Sequence, residues 1–189
     1  MKPAVIVVDM LKDSLREESN PVVAKFARKI APNINRLTAY ARRHSYPVVF
    51  ANDSFLPGDF VFRGKMHEHS IRGTEGAKVT DALVQTDSDI QLPKRRFSAF
   101  FKTDLDQTLR LYGVDTVIVA GLLTHWCVLS TALDALALDF RAYIIKDCCA
   151  SYSEEVHETI VKFYGQSPLY PLFKIIMLDE FLNELHTAE

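Results

Sequence analysis

The sequence predicts an α/β fold: a doubly wound, mostly parallel six-stranded sheet with helices on both faces. Two observations point to it. Short, continuous runs of β-branched and apolar residues recur with no polar position to alternate with, the pattern of parallel strands covered on both sides. Longer stretches with helical spacing lie between them, and such alternation needs right-handed crossovers that bring each strand back parallel to the last.

Taken in order, the first strand is Val5 to Val8, which stops at Asp9. Val22 to His44 reads as a helix with Pro32 inside it, and Val48 to Phe50 as the second strand. Ile90 to Leu92 supplies a third, shorter strand. Leu105 to Tyr112 is a helix closed by Gly113, a residue that readily takes the left-handed turn ending a helix. Val117 to Val119 is the fourth strand, with Val128 to Leu138 the helix behind it. Tyr143 to Ile145, the helix Glu154 to Tyr164, and a last strand at Ile175 and Ile176 complete the set. No repeat, low-complexity tract or linker interrupts the pattern, so 1–189 reads as a single domain.

Composition narrows the function classes. With 48% hydrophobic and 24% charged residues, the chain is ordinary for a globular domain, and 189 residues suffice for a core without staples. A net charge of −2, from 22 basic and 24 acidic residues, provides no field for nucleic acid or an anionic membrane. The three cysteines, Cys127, Cys148 and Cys149, form no CxxC pair, which points to a reducing compartment. The run Ala4 to Val8 is too short for a signal segment, and no run approaches a membrane span, so the expected location is cytoplasmic. GxGxxG, the P-loop, GxSxG and HExxH are all missing, which removes the usual signatures of dinucleotide binding, P-loop nucleotide binding, serine hydrolysis and zinc proteolysis.

Ligands of doubly wound sheets bind beyond the carboxyl ends of the strands, where the strand order reverses. The residues that follow the strands are Asp9, Asn52 with Asp53, Lys94, the segment Gly121 to Cys127, and Asp147. Cys127 falls at the start of a helix, where unpaired N–H groups and the helix dipole favour a thiolate and would lower its pKa. The residues alone leave a packed core cysteine equally open. Asp9 reads either as a strand-end carboxylate at the ligand edge or as a turn aspartate. Lys94 reads either as a charge in the site or as part of a solvated basic run with Arg95 and Arg96. Together the three make a device: a carboxylate to take the thiol proton, a lysine to stabilise negative charge, and a thiolate to attack a carbonyl. A phosphatase loop would need an arginine at position 133, which is Leu133. Cys148 and Cys149, placed after a later strand, read as small packing residues. The connection from Ser54 to Thr74 is long enough to be functional and carries Phe55, Phe60, Phe62, His67 and His69.

Three separated motifs in order then become informative: VVDM at the end of the first strand, the Lys94 to Leu105 run with SAF and TDL, and GLLTHWCV at Gly121 to Val128, followed by TALDAL. From Val7 to about Ala150 the chain resembles the isochorismatase-like cysteine hydrolases, which include the nicotinamidases and N-carbamoylsarcosine amidases. The resemblance implies an Asp9, Lys94, Cys127 triad and a cis peptide between Leu122 and Leu123. It also implies an oxyanion hole made by the backbone N–H groups of Leu123 and Cys127. Relatives lacking the cysteine hydrolyse the isochorismate ether, so Cys127 argues for an amidase. Nicotinamidases carry Asp-x-His after the second strand and a further His, holding a metal that contacts the pyridine nitrogen. Here the run is Asp53, Ser54, Phe55, while His69 still matches the later position. The reading is therefore of no cofactor, with Asp53 and His69 the residues left to hold a divalent metal if one is used.

The function these features imply is hydrolysis of a linear, non-peptide C–N bond, amide or carbamoyl, in a small molecule through a thioester on Cys127. Phe55, Phe60, Phe62 and Trp126 are the expected pocket residues. A nicotinamidase with a remodelled metal site and a non-catalytic protein of the same fold are the alternatives. The resemblance also implies a homo-oligomer, and no membrane or nucleic-acid partner is expected.

Overall fold

The computed structural model of the chain describes residues 1–18 and 20–187. Strands β1 (Pro3–Val8), β2 (Val48–Asp53), β3 (Ile90–Lys94), β4 (Thr116–Leu122), β5 (Arg141–Ala150) and β6 (Phe173–Ile176) form one parallel sheet in the order β3-β2-β1-β4-β5-β6. The chain winds outward from β1 through β2 to β3, then returns to place β4 on the other side of β1. The order thus reverses between β1 and β4, which puts the ligand edge beyond Val8 and Leu122.

β1 is buried along its whole length, and its period of two feeds two cores. Val5 and Val7 pack with Ile30, Ile34 and Leu37 of helix α1 (Pro21–Arg43) and with Phe181 of helix α5 (Leu178–His186). Ala4, Ile6 and Val8 pack on the other face with Leu105 and Leu109 of α2 (Leu105–Leu111) and Ala132 and Ala135 of α3 (Leu129–Ala137). Helix α4 (Glu154–Gly165) lies over this second core through Ile160 and Tyr164. Asn20 caps α1 by accepting the Val23 N–H, and Pro21 occupies the first turn, where its missing N–H costs nothing. Among the described residues, no helix is long and apolar enough to cross a membrane.

Several boundaries differ from the sequence reading. β5 runs through Asp147, Cys148 and Cys149, which therefore lie within the strand instead of after it. The polar pair Lys146 and Asp147 ends the apolar run, but the strand continues because Asp147 is satisfied by distant partners. Its oxygens accept from the Asn33 side chain at 3.0 Å and from the Leu178 N–H at 2.8 Å. The second of these bonds also anchors the start of α5, a helix the sequence reading left out although Leu178, Phe181, Leu182 and Leu185 have helical spacing. Asn52 and Asp53 likewise belong to β2, and Lys94 is the last residue of β3. Gly121 takes φ +115° opposite Val8, and a Cβ there would fall 2.1 Å from the Val8 carbonyl oxygen. Only glycine lets β1 and β4 approach at the edge where the order reverses.

Candidate active site

The parallel register sets Asp53 of β2 directly opposite Lys94 of β3, and Asp9 follows the end of β1 in a left-handed conformation at φ 52°. Asp9 is held there by its N–H to the Ala51 carbonyl at 3.1 Å and by the Ser14 hydroxyl on its own carbonyl at 3.0 Å. Its carboxylate accepts the Asp53 N–H on Oδ1 at 2.8 Å and the Lys94 ammonium on Oδ2 at 2.8 Å. The same ammonium donates to Asp53 Oδ1 at 2.5 Å. Cys127 comes from the far side of the reversal, in a π-turn (Thr124–Val128) that leads into α3. Its carbonyl accepts the Thr131 hydroxyl at 2.7 Å, and its thiol faces the Asp9 carboxylate. The Sγ atom and one oxygen each of Asp9 and Asp53 lie within 4.8 Å of one another. The fold thus brings Asp9, Lys94 and Cys127 together, and adds Asp53 as a fourth member.

Lys94 is no solvated lysine: its side chain is 0% exposed. Burial alone would lower its pKa, but the charges of Asp9, Asp53 and Cys127 outweigh burial and raise it above the ordinary lysine range. Burial and the neighbouring Asp9 charge push Asp53 up to about 7, against the pull of Lys94. The thiol departs from the expected direction. Burial first, and the Asp9 charge second, raise the Cys127 pKa well above the ordinary thiol value, with Lys94 acting the other way. A dipole at a helix start cannot offset desolvation beside two carboxylates that share one ammonium. At rest the site therefore holds a protonated thiol beside the Asp9 carboxylate.

The cluster opens on a cavity of about 870 Å³ that Asp9, Asp53 and Cys127 line from below. Phe55, Phe97, Leu122, Leu123 and Trp126 supply apolar wall, and Asp13, Arg16, Glu18, His67 and His69 bring polar groups to it. The Leu122–Leu123 peptide is cis, and Leu123 and Cys127 both border the cavity. Of the four aromatic residues expected in the pocket, Phe55 and Trp126 line it. Phe60 is 69% exposed and outside it, and Phe62 stands behind Phe55 with ring centroids 5.1 Å apart. The turn Phe60–Arg63 that carries both is drawn aside because Asp59, just before it, is buried against Arg95. Phe97 was missed. It lies three positions beyond Lys94 and packs on Trp126 with centroids 4.9 Å apart, so the strand-end rule that found Lys94 also leads to it.

The residues do not fit a divalent metal of the nicotinamidase kind. Asp53 Oδ1 is engaged by Lys94, position 55 is a phenyl ring, and His69 stands outside the close set of ligand-type atoms. Asp9, Asp53 and Cys127 are the close set of ligand-type atoms among the described residues. The Lys94 ammonium already bonds both of those carboxylates, taking the place a cation would have.

Comparison with known proteins places this geometry among relatives. Residues 3–167 match the family model described as an isochorismatase domain. A probable inactive nicotinamidase of Arabidopsis thaliana is 33% identical over 164 residues, which is 82% of this chain and 83% of that protein. An isochorismatase-like hydrolase from Alkaliphilus metalliredigens superposes with a TM-score of 0.86 at 29% identity, covering 98% of this chain and all of the other, 100%. The N-carbamoylsarcosine amidase of Thermoplasma acidophilum gives 0.82 at 31% identity, covering 95% and 98%.

Proposed function

The chain belongs to the isochorismatase family, whose members are hydrolases of C–N or C–O bonds, and from that membership we propose that it cleaves a linear, non-peptide C–N bond of a small amide or carbamoyl compound. The observation that carries the proposal is a buried thiol within 4.8 Å of a carboxylate oxygen, beside a buried ammonium, in the wall of a cavity with apolar sides.

The chemistry follows from those groups. Asp9 takes the Cys127 proton as sulfur attacks the carbonyl carbon, so the thiolate forms only when an electrophile is present to receive its electrons. Lys94 stabilises the negative charge that moves from Asp9 towards sulfur and oxygen, in a site where no bulk water screens it. Backbone N–H groups of Leu123 and Cys127 are the proposed donors to the oxyanion. The tetrahedral species collapses with loss of the amine, which takes its proton from Asp9, and leaves a thioester on Cys127. Asp9 then accepts a proton from water as the water oxygen attacks the thioester. The C–S bond breaks, the thiolate recovers its proton, and a carboxylic acid, or carbamic acid from a carbamoyl substrate, departs.

Phe55 supports this class over nicotinamide, since no metal donor stands where a ring nitrogen would be held. The Arabidopsis relative, a probable inactive nicotinamidase, supports one rival, a protein that kept the fold without turnover. Release of ammonia from a panel of small amides and carbamoyl compounds separates the two. Mass spectrometry should catch an acyl adduct on Cys127 with the best substrate, and Cys127→Ala should release nothing. A panel with no product at all would favour the rival.

A further inference from the structure

The chemistry above gives no task to Asp53, although its bonds converge on the two groups that handle the proton. Its N–H donates to Asp9 Oδ1 at 2.8 Å, and its carboxylate accepts from Lys94 at 2.5 Å, while Lys94 donates to Asp9 at 2.8 Å. The Lys94 side chain is 0% exposed, so solvent takes no share of the ammonium and two carboxylates divide it. A carboxylate paired alone with a buried ammonium is a weak base, because protonating it would strand the positive charge. Sharing that charge with a second carboxylate restores basicity to the first.

We propose that Asp53 is a positioning residue: it draws part of the Lys94 charge away from Asp9, leaving Asp9 the stronger base towards the Cys127 thiol, and its N–H fixes the Asp9 carboxylate for that transfer. The proposal rests on the reading of Cys127 as nucleophile and Asp9 as its base. The charged and titratable groups facing Asp53 are Asp9 from the end of β1, Lys94 from β3 and Cys127 from the turn before α3. Arg72 stands beside it, bonded to the Ser54 hydroxyl at 2.9 Å, and Asp13, Arg16 and His69 border the same cavity. Phe55 completes the argument. With no metal donor two positions on, this carboxylate serves the lysine.

The test compares the full chain with Asp53→Asn, which keeps the shape and an acceptor oxygen for Lys94 but removes the charge, and with Asp53→Ala, which removes both. Two readouts are taken against pH: the rate of Cys127 alkylation by iodoacetamide, which needs no substrate, and kcat and KM on the best amide. Asp53→Asn should move the acid-side midpoint of Cys127 alkylation, and of kcat/KM, to lower pH by on the order of one unit as the full lysine charge falls on Asp9. It should lower kcat roughly tenfold with KM nearly unchanged. Asp53→Ala should lose roughly tenfold more, since Lys94 then lacks its second anchor. Alkylation profiles that superimpose for Asp53→Asn and the unmutated chain would overturn the proposal, as would equal kcat for the two variants. If Asp53→Ala fails to fold by circular dichroism, the Asn profile decides alone. Failure of the amidase reading would appear separately, as absence of turnover in the unmutated chain or as turnover surviving Cys127→Ala.

Discussion

Asp53 and Asp59 lie six positions apart, and both are buried against a cation from one short stretch, Lys94 for the first and Arg95 for the second. Their protonation balance is opposite. Asp53 is pushed up to about 7, by burial first and then by the Asp9 charge, because it and Asp9 share one ammonium that no water reaches. Asp59 is held well below the usual carboxylate range, first by the Arg95 bond and then by the Leu56 N–H, with Arg96 adding charge from 3.5 Å. The Arg95 side chain is 43% exposed, so this second knot keeps one side in water. The contrast lies in the ratio of cations to carboxylates and in access to solvent. Where two carboxylates compete for one dry ammonium, a proton remains available for chemistry. Where one carboxylate faces two guanidinium groups, the charge is fixed and the knot only braces a loop.

Removing the two cations should give the largest difference. Lys94→Met leaves Asp9 and Asp53 buried without a counter-ion and is expected to cost about 3–5 kcal/mol in urea unfolding at neutral pH, with loss of turnover. Arg95→Met should cost clearly less, since Asp59 keeps Arg96 and the Leu56 N–H. Equal losses would erase the distinction between the knots.

Next come the carboxylates themselves. Asp9→Asn keeps its shape but cannot take the thiol proton, so hydrolysis should slow by a factor on the order of 10² or more. Asp59→Asn should leave the rate near that of the unmutated chain, because Asp59 has no part in the cavity lining. Steady-state kinetics on one amide decides both.

The pH dependence of stability sharpens the same contrast. Asp53 has a folded pKa raised from 3.8 to about 7, so the folded state binds the extra proton between those values. Its contribution is fully present below about pH 4 and is lost as pH rises through about 7. Asp59 is depressed, and its contribution is present above its unfolded value of 3.8 and lost as pH falls below that value. Thermal unfolding from pH 4 to 8 should show a decline that Asp53→Asn flattens and Asp59→Asn leaves in place.

The smallest effect concerns the thiols. Cys148 and Cys149 are 0% and 3% exposed in the sheet, with pKa values raised, first by burial, above the ordinary range. Cys127 is raised too, yet it borders the cavity. Brief iodoacetamide treatment followed by peptide mass spectrometry should find Cys127 modified before the others. Faster labelling of Cys148 would mean that access, and with it the cavity assignment, is misplaced.

Strand content was legible because burial on both faces forces continuous apolar runs, and all six runs correspond to strands of the sheet. Asp9, Lys94 and Cys127 were reachable from the strand-end rule and from three motifs. That they meet follows from the order β3-β2-β1-β4, which no local pattern encodes. β5 beyond Ile145 was illegible for a related reason: Asp147 breaks the run, and its partners Asn33 and Leu178 lie far along the chain. Helix α5, by contrast, is legible in the helical spacing of Leu178, Phe181, Leu182 and Leu185.

The sequence by itself determined the alternation, the chemistry at each strand end and the missing metal donor at Phe55, since these depend on residue type and short-range spacing. Tertiary structure alone decided that Asp53 opposes Lys94 across two strands, that Phe60 faces away from the cavity, and that the Cys127 thiol is raised instead of lowered. Those outcomes depend on desolvation and on how many charges share one dry site, and such quantities exist only after distant segments have packed together.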